Sequence, residues 1–252
     1  MTPPDFQRRL NEARRLLLAK NFGQALPRYE ELARQCPQEA VVWLEYGNAA
    51  SGLRRRSLAD QAWQKALDLA PRNAELIGLI GHQYQGLRNA ERARACFVRA
   101  AAAEPRAVNP RISLAVLLEQ QHRLEEARAA VDECLAIDSR DDQARYFSAL
   151  LDRRENRLEA SERKLRDLIA SAPKHPYVRY ACRYELAQIL DRTDRFDEAM
   201  QQFKRAVTLD ANDAGARTNR AQTNLLHGEF EHGWREYEWR WRRFGATRCA
   251  PR

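Results

Sequence analysis

Apolar side chains along this chain recur at helical rather than strand spacing. Trp43, Tyr46, Gly47 and Ala50, then Ala59, Trp63 and Ala66, fall three or four positions apart, the interval that lines one face of an α-helix. The pattern also repeats. Small residues stand at Ala13, Gly47, Gly81, Ala115, Ala149, Ala187 and Ala221, with spacings of 34, 34, 34, 34, 38 and 34. A second small series follows twelve positions behind, at Ala25, Ala59, Ala93, Ala127, Ser161, Ala199 and Gly233. A third, Pro37, Pro71, Pro105, Ser139, Pro173 and Ala211, closes each unit where proline would end a helix. Two helices joined by a short turn need small residues where they cross, since larger side chains would hold the axes apart. The sequence therefore predicts an all-α array of helical hairpins.

These residues resemble the tetratricopeptide repeat family, whose pattern runs W-x2-L-G-x2-Y, A-x3-F, P. The second unit supplies Trp43, Tyr46, Gly47, Ala50, Ala59, Trp63 and Pro71, and the third supplies Ile77, Ile80, Gly81, Tyr84, Ala93, Phe97 and Pro105. The resemblance implies a right-handed α-solenoid of about seven hairpins, at residues 6–39, 40–73, 74–107, 108–141, 142–175, 180–213 and 214–244, with a tail over 245–252. Two units depart from the pattern. Pro27 requires the second helix of the first unit to begin close by, and Ser161 replaces alanine in the fifth. The single 38-residue interval places four extra residues, Lys174 to Tyr177, ahead of the sixth unit, where they would lengthen its first helix by one turn with Pro176 at its start.

Composition adds little to the fold and more to the function. Net charge is +8, yet arginine is interleaved with Asp and Glu throughout, which reads as a solvated helical surface rather than a nucleic-acid stripe. Cys36, Cys96, Cys134, Cys182 and Cys249 are odd in number and widely spaced, so buried reduced thiols and a cytoplasmic location are expected. Leu16–Ala19 is too short an apolar run for a leader or membrane span. No phosphate loop, metalloprotease motif or nucleophile elbow is present, and no catalytic, metal or cofactor residue is assigned. His227 and His232 straddle a turn at poor spacing for a shared metal, and the acidic pairs Glu125–Glu126 and Asp141–Asp142 fall at helix starts, where they offset the helix dipole.

Stacked hairpins would curve and line a concave face with their first helices. That face is expected to carry Asn48, Ser51, His82, Gln85, Asn109, Glu119, Gln120, Tyr146, Arg153, Tyr184, Gln188 and Asp191. Asn48, His82, Gln85, Asn109, Tyr184 and Gln188 are the candidate contacts for an extended peptide or protein partner, making the chain a non-catalytic scaffold. The Lys and Asn cluster of the family's carboxylate-binding grooves is represented only by Asn48.

A second feature is the stretch GWREYEWRWRRF, residues 233–244, which holds Trp234, Trp239 and Trp241 of the chain's five Trp. Read as one helix from Phe230 to Arg243, it aligns Phe230, Trp234, Tyr237, Trp241 and Phe244 in a stripe and leaves Trp239 aside. Trp234, Tyr237, Trp239 and Trp241 form a candidate end surface: an intramolecular cap, a docking face for another domain or chain, or a stacking platform for single-stranded nucleic acid, which Glu236 and Glu238 oppose. Gly228 through Arg240 resembles a phrase, G-x-F-x-x-G-W-x-x-Y-E-W-R, that joins such repeats to a glycosyltransferase-like domain in bacterial proteins. That resemblance implies an alternative role as recruiting arm for a catalytic domain absent from this chain. Tyr184 to Ala199 is similar to repeats that precede sulfotransferase domains, a weaker likeness.

Overall fold

The computed structural model describes residues 3–243, with side chains from 4 to 241. Among them every regular element is an α-helix: α1 (Pro3–Leu18), α2 (Phe22–Gln35), α3 (Ala40–Gly52), α4 (Arg56–Leu69), α5 (Ala74–Gly86), α6 (Ala90–Ala103), α7 (Asn109–Gln120), α8 (Leu124–Ile137), α9 (Asp142–Arg154), α10 (Leu158–Ala170), α11 (Pro176–Arg192), α12 (Phe196–Leu209), α13 (Ala214–Leu226), α14 (Phe230–Tyr237) and α15 (Arg240–Arg243). The fold is an all-α helical repeat. Two compact units divide between Leu117 and Leu118. The first contains the hairpins α1/α2, α3/α4 and α5/α6, and the second contains α9/α10, α11/α12 and α13/α14.

The small residues mark the helix crossings, as expected. A Cβ at Gly47 would collide with the indole of Trp63 across the α3/α4 hairpin, and one at Gly81 would lie 2.6 Å from the Phe97 ring. Ser161 is the revealing exception. Its buried hydroxyl donates to the carbonyl of Ala149 at 2.7 Å, so the small residues of the two series meet directly at the α9/α10 crossing. Opposite the small residues sits a bulky series in the same register: Tyr29, Trp63, Phe97, Val131, Leu165 and Phe203, each at most 1% exposed. Tyr237 continues it but is only half-buried.

Each hairpin turn uses one residue at positive φ: Lys20, Arg54, Arg88, His122, Asn156, Asp194 and Gly228. The next amide donates five residues back, as in Arg55 to Ala50 (2.9 Å), Asn89 to Tyr84 (2.9 Å) and Glu229 to Asn224 (2.9 Å). This bond satisfies a carbonyl that the ending helix leaves open.

The four extra residues lengthen α11 to 17 residues, against 13 for α3, α5, α9 and α13, and Pro176 opens it. Asp142, at the start of α9, ties the insertion down by accepting the amides of Lys174 (2.6 Å) and His175 (3.1 Å). Two local expectations are corrected. Pro27 lies in the second turn of α2 rather than the first, where it cannot donate to the Gly23 carbonyl. The aromatic stretch is not one helix: it breaks after Tyr237, turns at Glu238–Trp239 and resumes as α15. Phe244, the 245–252 tail and Cys249 lie outside the described residues.

Candidate functional site

In the first unit the candidate contacts sit on α3, α5 and α7. Asn48 is half-buried, and its Oδ1 accepts the Trp63 indole N–H at 3.1 Å, so this side chain supports the core as well as facing outward. His82, in the equivalent place on α5, rests against Phe97 with ring centroids 5.0 Å apart, and its Nε2 is 3.3 Å from the Ser113 hydroxyl. Gln85 is half-buried one turn further on, and Asn109 is exposed at the first residue of α7. Behind them, Tyr84 donates to Asp60 at 2.8 Å. Burial, followed by the Asp60 bond, pushes its phenol up to about 12, so it stays a neutral donor.

In the second unit the groove list sorts by burial. Tyr146 and Glu185 are buried, and Arg153 pairs with Glu185 at 2.6 Å. Burial pushes the Glu185 carboxyl up and Arg153 opposes it. Arg154 pairs with Glu119 at 2.5 Å. These groups brace neighbouring helices rather than stand ready for a ligand. Helix periodicity places Glu119, Tyr146 and Arg153 on the inner stripe without separating its wet edge from its packed floor.

Tyr184 and Gln188 lead somewhere more open. The Tyr184 hydroxyl accepts from the Asn219 amide at 3.0 Å, and Gln188 lines a cavity of about 470 Å³ together with Asp191, Asn219 and Gln222. Its apolar side is Phe203, Leu225, Leu226, Trp234 and Tyr237. Two features predicted as separate surfaces, the α11 amide and the terminal aromatics, thus share one cleft. Gln222 stands 34 positions after Gln188, so the repeat register itself pointed to it.

The end surface divides against the stripe reading. Trp234 and Trp241 are 60% and 49% exposed, while Trp239 is half-buried with the Arg217 guanidinium 4.3 Å from its ring. The turn after Tyr237 rotates Trp239 inward. α14 is clamped to α13 by Arg217 and Arg220, both on Glu236, and by Gly233, where a Cβ would lie 2.6 Å from Leu225. Arg240 lies 4.4 Å from the Tyr237 ring and 4.5 Å from the Trp241 ring. Arg235 and Arg240 pair with Glu231 and Glu238, which leaves both engaged within the fold.

No three His, Cys, Asp or Glu side chains among the described residues are grouped to hold a metal ion. His227 stacks on Phe196 at 3.9 Å, and His232 is exposed. Asp141 caps α9 through the Ala144 amide at 2.8 Å, and Glu125 and Glu126 occupy the first turn of α8. Cys96, Cys134 and Cys182 are buried free thiols, and Cys36 is half-covered. Burial pushes the Cys96 and Cys182 thiols up to about 11, against nucleophilic use. No helix among the described residues is long and apolar enough to cross a membrane.

Comparison with known proteins agrees with this architecture. No curated protein sequence matches the chain. Among solved structures it is similar to a tetratricopeptide repeat protein from Parabacteroides merdae (TM-score 0.72, 16% identity, 92% of this chain and 91% of that one). It is also similar to the Cut9–Hcn1 hetero-tetramer of the APC/C (0.69, 14%, 91% and 45%) and to yeast Tom70 (0.61, 17%, 86% and 54%). The chain thus spans about half the length of the last two. At these identities the likeness shows the fold. The sequence profile of the tetratricopeptide repeat matches residues 79–142 and 146–230, well over half of the 252, and on that match the chain belongs to the tetratricopeptide repeat family.

Proposed function

We propose that the protein is a non-catalytic scaffold that holds an extended peptide or protein segment along its first helices, in the concave groove. The observation that supports this most is the cleft of the second unit. Amide side chains of Gln188, Asn219 and Gln222 line it together with the apolar Phe203, Leu225 and Trp234. An apolar side chain of a partner fits these apolar groups while the amides bond its backbone. In the first unit the half-buried Asn48 and the exposed His82 offer polar side chains from successive repeats.

Capture of partners from the native cell tests the reading. Wild type, an Asn48→Ala/His82→Ala variant, a Gln188→Ala/Gln222→Ala variant and a Trp234→Ala/Trp239→Ala/Trp241→Ala variant are compared, with thermal unfolding as a control because Asn48→Ala strips a core indole of its acceptor. Loss of the same partner from the groove variants is expected. Undiminished capture by both of them contradicts the proposal.

The second reading, a recruiting arm for a glycosyltransferase-type or, more weakly, sulfotransferase-type catalytic partner, draws on the exposed rings of Phe230, Trp234 and Trp241 beside the C-terminal phrase. It requires the triple tryptophan variant alone to lose the partner.

A further inference from the structure

Beside the insertion before α11 lies a second hollow that the groove does not use. It holds about 390 Å³ where the end of α10, the loop after it, the start of α11 and the end of α12 meet. Its walls are apolar: Ile169, Pro173, Cys182 and Leu209. Three arginines, Arg179, Arg183 and Arg205, line the same hollow, and no acidic residue does. It shares no residue with the cleft around Gln188.

Arginines at such places commonly serve the fold, and the first unit shows how. Arg99 donates to the carbonyls of Leu67 (3.0 Å) and Pro71 (3.3 Å), closing the end of α4. Arg205 occupies the corresponding position three repeats later, facing Ile169 and Pro173, the counterparts of Leu67 and Pro71. Yet neither the Arg205 nor the Arg179 guanidinium makes a hydrogen bond or ion pair with any described residue, and the Arg183 guanidinium donates to the neutral amide of Gln202, at 3.2 Å. A ligand carboxylate therefore displaces no internal acid when it meets these guanidiniums. The apolar walls would go unused by a bare anion, and the volume lies in the range of about 300–1,000 Å³ typical of ligand sites.

We propose that this hollow is a docking site for an acidic segment of a partner protein, with one apolar side chain between the walls and flanking carboxylates on Arg179, Arg183 and Arg205. The proposal is independent of the groove reading. The test uses the full 252-residue chain and fluorescein-labelled hexapeptides Asp-Glu-X-X-Glu-Asp, with X as Leu, Ile or Phe, followed by fluorescence anisotropy. Control peptides replace the carboxylates by amides or X by Ser. Saturable binding is expected for at least one acidic peptide, with each matched control weaker by about tenfold or more, because charge-assisted bonds and apolar burial both contribute.

The double variant Arg179→Gln/Arg205→Gln weakens that binding by about tenfold or more. Thr208→Trp, which fills the hollow without changing charge, does the same, whereas Arg99→Gln leaves affinity unchanged. Equal binding by the double variant, equal binding of the amide peptide, or no peptide binding overturns the proposal. Capture by phosphatidylserine vesicles without peptide binding also overturns it, in favour of a membrane surface. None of these variants touches Asn48, His82 or Gln188, so failure here and failure of the groove reading are separable.

Discussion

A methyl group added at Gly47 and one added at Gly78 should have opposite effects, although both glycines are helical. At Gly47 the new Cβ meets the fully buried Trp63 indole, which is fixed by its bond to Asn48 and has nowhere to move. At Gly78 nothing lies within 4 Å. Gly47→Ala is expected to lower stability by about 1–3 kcal/mol through overpacking. Gly78→Ala should raise it by about 0.5–1 kcal/mol through reduced backbone entropy in the unfolded chain. Urea unfolding of the two variants checks both signs.

Asp152 gives a pH-dependent counterpart. Its side chain is 3% exposed and pairs with Lys164 (2.5 Å), Arg157 (2.6 Å) and Arg128 (3.0 Å). Burial opposes its ionisation, but these cations outweigh it and hold the carboxyl below the ordinary carboxylate range. A depressed acid stabilises the fold above the unfolded value, about 3.9, and that stability is lost as pH falls through the folded value. Asp152→Asn should cost about 1–3 kcal/mol at pH 7, since the partly exposed cations rehydrate. Measured across the acid limb, the gap to wild type should close below about pH 4; a gap that widens there contradicts the assignment.

At the scale of the element, the turns carry the clearest untested cost. Of the seven hairpin-turn positions at positive φ, six hold side chains, among them Arg88 at φ 58°, and Gly228, at φ 84°, is the glycine. A left-handed residue with a Cβ costs roughly 1–2 kcal/mol. Arg88→Gly is therefore expected to raise the midpoint of thermal unfolding modestly, and Gly228→Ala to lower it. This series escaped the sequence reading because Lys, Arg, His, Asn and Asp share no pattern there; the conformation is imposed by the hairpin rather than announced by glycine. The crossings were legible for the opposite reason, since only small residues fit and the register survives even the Ala-to-Ser exchange at Ser161. The last helix was misread because heptad-like aromatic spacing continues through a chain that in fact turns at Glu238–Trp239.

For the whole molecule, periodicity carries the helical class, because every repeat must solve the same packing problem, and the resemblance of the repeated residues carries the family. The candidate site was less legible. Register placed Asn48, His82 and Gln188 on first helices, but it also swept in Tyr146 and Arg153, whose burial depends on neighbours in other repeats. It also split Gln188 from Trp234 and Tyr237, which the fold brings to one cleft. The scaffold reading is tested most directly by photo-crosslinking in the native cell from benzoylphenylalanine at position 85, on first helix α5, and at position 64, on the exposed side of second helix α4. Adducts to a discrete partner from position 85 and none from position 64 are the predicted result; equal labelling from both, or labelling from 64 alone, would contradict a groove lined by the first helices.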